Sequence, residues 1–195
     1  MHPKEERTVV LVKPDGVKRG LVGDTITRIE RCGLKVIALK MITATEEQAL
    51  NHYPQSEEWL SGMGKKTLEH YEKHGVDAVK ELGTDDPLEI GKMISGWLVD
   101  FVTSGPIVAM VVQGIHAIDM VRKIVGNTLP AKADMGTIRG DYSVDSPTLA
   151  NLGKRAIHNV VHASGDPDEA IHEIEHWFTS KEIHAYDRAE EDIMF

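Results

Sequence analysis

The chain has 195 residues, of which 41% are hydrophobic and 27% charged, and a formal net charge of -9. That size fits one domain over residues 1–195 with a real core. The acidic balance argues against a nucleic-acid partner, which calls for a basic face, but leaves room for a mononucleotide held by a few convergent cations.

Thr8 to Val12 is a short, mostly β-branched run ending at Pro14-Asp15-Gly16, and reads as a buried strand entering a turn. Leu21, Ile26 and Ile29 fall near helical spacing, and Gly33 stops that helix. Leu34 to Ile42 reads as a second strand. Thr45-Glu46-Glu47-Gln48 has the form of a capping box, with a helix following to about Tyr53. Pro106 to Gln113 is a strongly apolar strand, and Ala117 to Val125 a helix closed by Gly126-Asn127. Residues 127–147 carry Gly, Pro and Asp at many places and read as mostly loop. Ser146-Pro147 opens a helix through Leu149, Leu152 and Ala156. Ile157 to His162 is a short strand. Asp166-Pro167-Asp168-Glu169 starts a last helix with Ile171, Ile174, Trp177 and Phe178 on one face.

Strand, helix, strand, helix, repeated twice, predicts an α/β (α+β) fold. Its form is a ferredoxin-like sandwich, a four-stranded antiparallel sheet with helices packed on it. A charged, helix-prone stretch at residues 54–94 stands apart. Trp59, Leu60 and Met63 form one apolar cluster in it, and Leu68, Tyr71 and Val79 another. It reads as a helical insertion, either a surface hairpin or a lid or subunit contact. Cys32 is the single cysteine; it excludes a disulfide framework and reads as a small buried residue near a helix end. No segment is apolar enough to span a membrane, and Met1 to Arg7 lacks signal-peptide character. A cytoplasmic protein without a membrane partner is expected.

The chemistry concentrates in three motifs. Asn159-Val160-Val161-His162-Ala163-Ser164 puts an amide three residues before a histidine and a hydroxyl two after it. A neutral imidazole is a good nucleophile near pH 7, and a nucleophilic imidazole needs its second nitrogen held. Thr8-Val9-Val10-Leu11-Val12-Lys13-Pro14-Asp15-Gly16-Val17 places Lys13 rigidly at a strand end. Gly136-Thr137-Ile138-Arg139-Gly140-Asp141 places Arg139 between glycines that leave the backbone free to approach a phosphate. Gly62-Met63-Gly64-Lys65-Lys66-Thr67 lacks the first glycine and the Ser/Thr directly after the lysine of a phosphate loop. Side chains should therefore hold any phosphate.

In this order the three motifs resemble those of the nucleoside diphosphate kinase family, from about Glu6 to about Trp177. The resemblance implies the same ferredoxin-like fold. It also implies transfer of the γ-phosphate of a nucleoside triphosphate to a nucleoside diphosphate, by a ping-pong mechanism through a phosphohistidine on His162. Glu173 matches the family's orienting carboxylate, and Ser164 a serine of the same network. Tyr53 and Asn159 match residues near the nucleophile and the sugar, and Lys13, Arg122, Thr128 and Arg139 match the phosphate contacts. Aligning backwards from Leu98-Val99-Asp100-Phe101 puts Ile94 where the family stacks a phenylalanine on the base. Magnesium (Mg2+) is implied through the nucleotide phosphates, with no protein metal ligands. So are nucleoside tri- and diphosphate partners such as ATP, GTP, ADP and GDP, and a trimer-based homo-oligomer, commonly a hexamer. Two alternatives stay open. His172-Glu173-Ile174-Glu175-His176 satisfies the His-Glu-x-x-His pattern of a zinc metallohydrolase, with Glu173 as general base. A non-catalytic nucleotide-binding protein would use the same cations.

Overall fold

The computed structural model describes residues 5–189 and 193. Most of the leader-free reading of residues 1–7 falls on residues 1–4, outside the described residues. In chain order the elements begin with β1 (Glu6–Val12), α1 (Pro14–Lys18), α2 (Val22–Arg31), β2 (Lys35–Ile42) and α3 (Glu46–His52). Next come α4 (Glu57–Lys73), α5 (Ala78–Leu82), α6 (Pro87–Thr103), β3 (Ile107–Gly114) and α7 (Ala117–Val125). The chain closes with α8 (Ile138–Tyr142), α9 (Pro147–Leu152), β4 (Val161–Ala163) and α10 (Pro167–Trp177). They fall into two compact units. One comprises the chain up to Thr43, Pro106–Val144, and Asn159 onward; the other comprises Ala44–Gly105 and Asp145–His158.

The first unit holds the sheet. Its four strands run in the order β2-β3-β1-β4, and every pairing is antiparallel. This is the ferredoxin-like arrangement expected from the order of elements. β1 is central, and Val9, Val10, Leu11 and Val12 are all buried, as its unbroken apolar run requires. On one side Val10, Val12, Val108, Met110 and Val112 pack with Ile29, Val121, Val125 and Ile138 from helices. α10 also packs on β1. β4 is short because Val160, just before it, has φ +68°. The expected strand at Ile157–His162 therefore begins only at Val161.

Two further expectations are corrected, and a third gains an element. Residues 127–147 are mostly loop, as expected, but enclose a short helix. Thr137 caps α8 by accepting from Gly140 N, and Pro130–Lys132 forms a 3-10 turn. Pro14-Asp15-Gly16 is the first turn of α1, since Pro at the first helical position has no amide to leave unpaired. On α10 the buried positions are Ala170, Glu173 and Trp177, while Ile171 is 50% exposed. Periodicity alone assigned the inward face to the isoleucine, but a glutamate occupies it. Cys32 is half-buried at the C-cap of α2, where its thiol donates to Ile29 O.

The second unit is helical. α4 and α6 cross at backbone contact. A Cβ on Gly91 would lie 2.0 Å from Leu60 O, and one on Gly64 would lie 1.8 Å from Pro87 O. Tyr71, Leu82 and Ile90 make a small core against which Leu68, Ile94 and Trp97 pack. Val79 is instead exposed on α5, so the second expected cluster loses that member. Leu60 is buried, and the half-buried Trp59 stacks on Tyr53. α3 carries the expected capping box, with Thr45 and Gln48 bonded reciprocally. α9 ends at Leu152, short of Ala156, because the chain turns at the Gly153 C-cap.

Candidate active site

His162 sits on β4 directly opposite Leu11 of β1. Its Nε2 lies 2.7 Å from Oε1 of Glu173, which α10 places in full burial. Ser164 Oγ donates to the other Glu173 oxygen at 2.7 Å and accepts from Val9 N at 3.1 Å. Sheet, helix and imidazole are thereby tied through one buried carboxylate, a rigid acceptor with both oxygens in use. A carboxylate at Nε2 favours the proton on that nitrogen and places the lone pair on Nδ1. Burial holds the imidazole pKa well below its usual value, reinforced by the charges of Lys13, Arg139 and Arg122. His162 is therefore neutral at pH 7, the form that can attack.

Two of those cations are buried beside neutral acceptors. Lys13 Nζ donates to Asn159 Oδ1 at 2.8 Å, and Asn159 Nδ2 donates to Thr128 O at 2.9 Å. Arg139 donates to Gly126 O and Val161 O, each at 2.7 Å, and to Asn159 O at 3.4 Å. Carbonyl and amide oxygens satisfy donors without cancelling charge, so the positive field persists for an anionic ligand. Burial, with Arg139 nearby, lowers the Lys13 pKa to about 8. Burial, with Arg122 nearby, lowers that of Arg139 to about 10. Arg122 is exposed on α7, and a Cβ on Gly165 would stand 3.5 Å from its Nη1. An acidic chain thus gathers three of its 22 lysines and arginines around one histidine.

The backbone here is bent sharply. Val161 N donates to Asn159 O at 2.7 Å across Val160, whose positive φ is unusual for a β-branched residue. An i to i+2 bond of this kind is a γ-turn in its rarer, strained form. The turn holds Asn159 and Val161 on either side of one residue, with His162 directly after it. Gly16 is moulded to it, since a Cβ there would meet Val160 O at 2.9 Å and Val12 Cγ1 at 2.8 Å.

The model of the family described as nucleoside diphosphate kinase matches residues 6–60 and 89–183. The chain belongs to the nucleoside diphosphate kinase family. It is similar to a nucleoside diphosphate kinase of Pyrobaculum aerophilum, with 51% identity over 178 residues, 91% of this chain and 97% of that one. A crystal structure of an NDP kinase from Pyrobaculum aerophilum superposes with a TM-score of 0.90 at 49% identity, covering 93% of this chain and all of that one. The nucleoside-diphosphate kinase of Borrelia burgdorferi, solved as a transition-state mimic with vanadate and ADP, gives 0.76 at 35% identity, with 95% and 94% covered.

The family model passes over residues 61–88, a narrower span than 54–94. Leu60, the last residue matched before this gap, touches Gly91 just after it. The insertion therefore leaves and re-enters the family framework at one point, as a hairpin must.

The first unit brings together Lys13, Thr128, Arg139, Asn159, His162, Ser164 and Glu173, with Arg122 near enough to act on His162 electrostatically. Tyr53 and Ile94 belong to the second unit. Tyr53 ends α3 between His52 and Trp59, and Ile94 packs on the small core of Tyr71, Leu82 and Ile90. The metallohydrolase alternative loses its general base. Glu173 is buried on His162 and Ser164, whereas the His172 and His176 rings lie 6.1 Å apart on a more exposed face of α10. Sequence reasoning used Asp15, Gly16 and Gly126 only as turn and helix-stop signals and gave them no part in the site. The signal for the first two was present, as an Asp-Gly directly after Lys-Pro.

Proposed function

We propose that the chain is a nucleoside diphosphate kinase that works through a phosphohistidine on His162. The carrying observation is the 2.7 Å contact between Nε2 of a neutral, partly buried imidazole and a buried carboxylate. Nδ1 attacks the γ-phosphorus of a nucleoside triphosphate, the N–P bond forms, and the bond to the β-phosphate oxygen breaks. The diphosphate leaves with those electrons. The positive charge that develops on the ring is stabilised by Glu173 through Nε2–H. A second nucleoside diphosphate then attacks the same phosphorus in reverse. Lys13, Arg139 and Arg122 stabilise the charge on the phosphoryl oxygens, which is the main demand of this reaction. The vanadate and ADP bound by the Borrelia burgdorferi relative support that reading of the site.

Thr128 and Asn159 would serve phosphate and sugar, Tyr53 the nucleophile's surroundings, and Ile94 the base. Magnesium fits this donor set. The charges converging on His162 are cations, and both oxygens of Glu173 are already in use, so the ion would arrive on the phosphates rather than in a protein cage. Lys13, Arg122 and Arg139 would grip those phosphates, and magnesium would neutralise part of their charge. We further assign a single functional kinase domain over residues 1–195, a cytoplasmic location, no nucleic-acid partner, and a trimer-based homo-oligomer, expected as a hexamer. Among the described residues no helix is long and apolar enough to cross a membrane.

Two outcomes check the cations. Lys13→Ala and Arg139→Ala each lower kcat/KM by about 100-fold, and equally for purine and pyrimidine nucleotides, because phosphate is common to all of them. Steady-state kinetics over four diphosphates decides it, and a loss confined to one base class would refute the assignment. The second outcome is a pH profile. Lys13 loses its proton near pH 8 in the free protein, so kcat/KM is flat below that and falls above it. Bound phosphate favours the charged amine, so the limb in kcat lies at higher pH. The acid limb lies below the ordinary histidine range, since the His162 pKa is lowered. A profile falling between pH 7 and 6 would contradict this.

A further inference from the structure

We propose that Asp15 is a positioning residue for phosphoryl transfer, its carboxylate clamping the Val160 amide so that Asn159 and His162 stay in register with Lys13. The inference rests on the reading of His162 as nucleophile. Asp15 Oδ2 accepts from Val160 N at 3.0 Å. Two residues earlier, Lys13 N donates to Val160 O at 2.8 Å. Both polar backbone groups of the strained residue are therefore taken by the segment Lys13 to Asp15, which lies well over 100 positions away in sequence. Gly16 completes the mould, because any side chain there would strike Val160 O.

A γ-turn about a valine at φ +68° is unfavourable on its own and persists only where surroundings over-determine it. Without the carboxylate, Val160 N would be a buried donor with no acceptor, and the residue would relax toward ordinary extended φ. That relaxation carries Asn159 away from Lys13 Nζ and re-aims His162, one residue beyond the turn. Misplacement on the scale of an ångström at a reacting centre costs about 100-fold in rate.

Asp15 also acts on the lysine electrostatically. Lys13 is faced by Arg139, which disfavours its charge, by Asp15, which favours it, and by the neutral amide of Asn159. Asp15 Oδ1 is buried and makes no hydrogen bond among the described residues. One carboxylate thus sets both the geometry of the nucleophile and the protonation of the phosphate-binding lysine.

The test uses the full chain as wild type, Asp15→Asn, Asp15→Ala and His162→Ala. Quench-flow with γ-labelled ATP and magnesium gives the phosphorylation rate constant at saturating nucleotide, and steady-state kinetics give the pH profile of kcat/KM. Asp15→Ala is expected to slow phosphorylation by about 10- to 100-fold while half-saturation changes far less. Asp15→Asn keeps an acceptor for Val160 N and recovers most of that loss. Both variants move the alkaline limb below its wild-type position near pH 8, which loss of a purely structural bond would not do. Asp15→Ala within about twofold of wild type, with an unmoved limb, overturns the proposal. So does an Asp15→Asn rate no better than that of Asp15→Ala. If Asp15→Ala does not fold, an unmoved limb in Asp15→Asn is itself decisive against it. Label persisting in His162→Ala overturns the nucleophile reading and this inference with it, and that result is distinct from every Asp15 outcome.

Discussion

With His162 replaced by alanine, phosphorylation of the chain and turnover of nucleoside diphosphates fall by about 10⁴-fold or more. In the proposed mechanism the covalent intermediate is the pathway, so its loss leaves only binding and direct attack between two bound anions. The loss should appear in kcat rather than in nucleotide affinity, since Lys13, Arg139 and Asn159 hold one another and not the imidazole. A cost in stability accompanies it. Glu173 is fully buried and would keep Ser164 as a partner while losing the ring, which costs on the order of 1–3 kcal/mol. The decisive measurement is label from γ-labelled ATP after removal of nucleotide: acid-labile and base-stable on the wild-type chain, absent from the variant. Turnover above about 1% of wild type, well beyond what a 10⁴-fold loss permits, would end His162's candidacy.

The sequence shows clearly those parts of the fold whose signals are local. The helix spans Ala117–Val125 as the sequence predicts, with Gly126 closing it. β1 followed from an apolar run, and α3 from Thr45 and Gln48. Elements set by particular contacts rather than by periodicity were misjudged. α8 rests on Gly140, whose Cβ would lie 2.0 Å from Asp134 O, and on Asp141 accepting from Gly136 N. In sequence those same glycines and aspartates look like loop. β4 begins late because Val160 is held out of extended conformation by Lys13 and Asp15, and no window of neighbouring residues records that. The chemistry followed the same division. Lys13, Arg139, Asn159 and His162 were legible through resemblance of motifs. The burial of Glu173 was hidden because periodicity gives the inward stripe to isoleucine. The clamp on Val160 was hidden because its two halves are so far apart in the chain.

The largest structural effect belongs to two glycines that helix propensity would have replaced. Gly62, Gly64, Gly91 and Gly96 all lie inside α4 or α6. In an unobstructed helix, alanine stabilises relative to glycine by about 1 kcal/mol. Gly62 and Gly96 have nothing within 4 Å of an added Cβ, so Gly62→Ala and Gly96→Ala should raise stability by roughly that amount. Gly64→Ala and Gly91→Ala should do the opposite, by about 3 kcal/mol or more, since overpacking at this severity exceeds any propensity gain. The atoms struck are Pro87 O and Leu60 O, backbone groups of the facing helix that cannot rotate aside, so relief requires the helices to separate. Separation in turn unpacks Tyr71, Leu82 and Ile90, the small core of this unit. Urea unfolding followed by tryptophan fluorescence in a Trp177→Phe background, which leaves Trp59 and Trp97 of the helical unit as reporters, gives the four midpoints. A Gly91→Ala midpoint at or above wild type would mean that α4 and α6 do not cross at contact. In that case the insertion would not begin and end at one point.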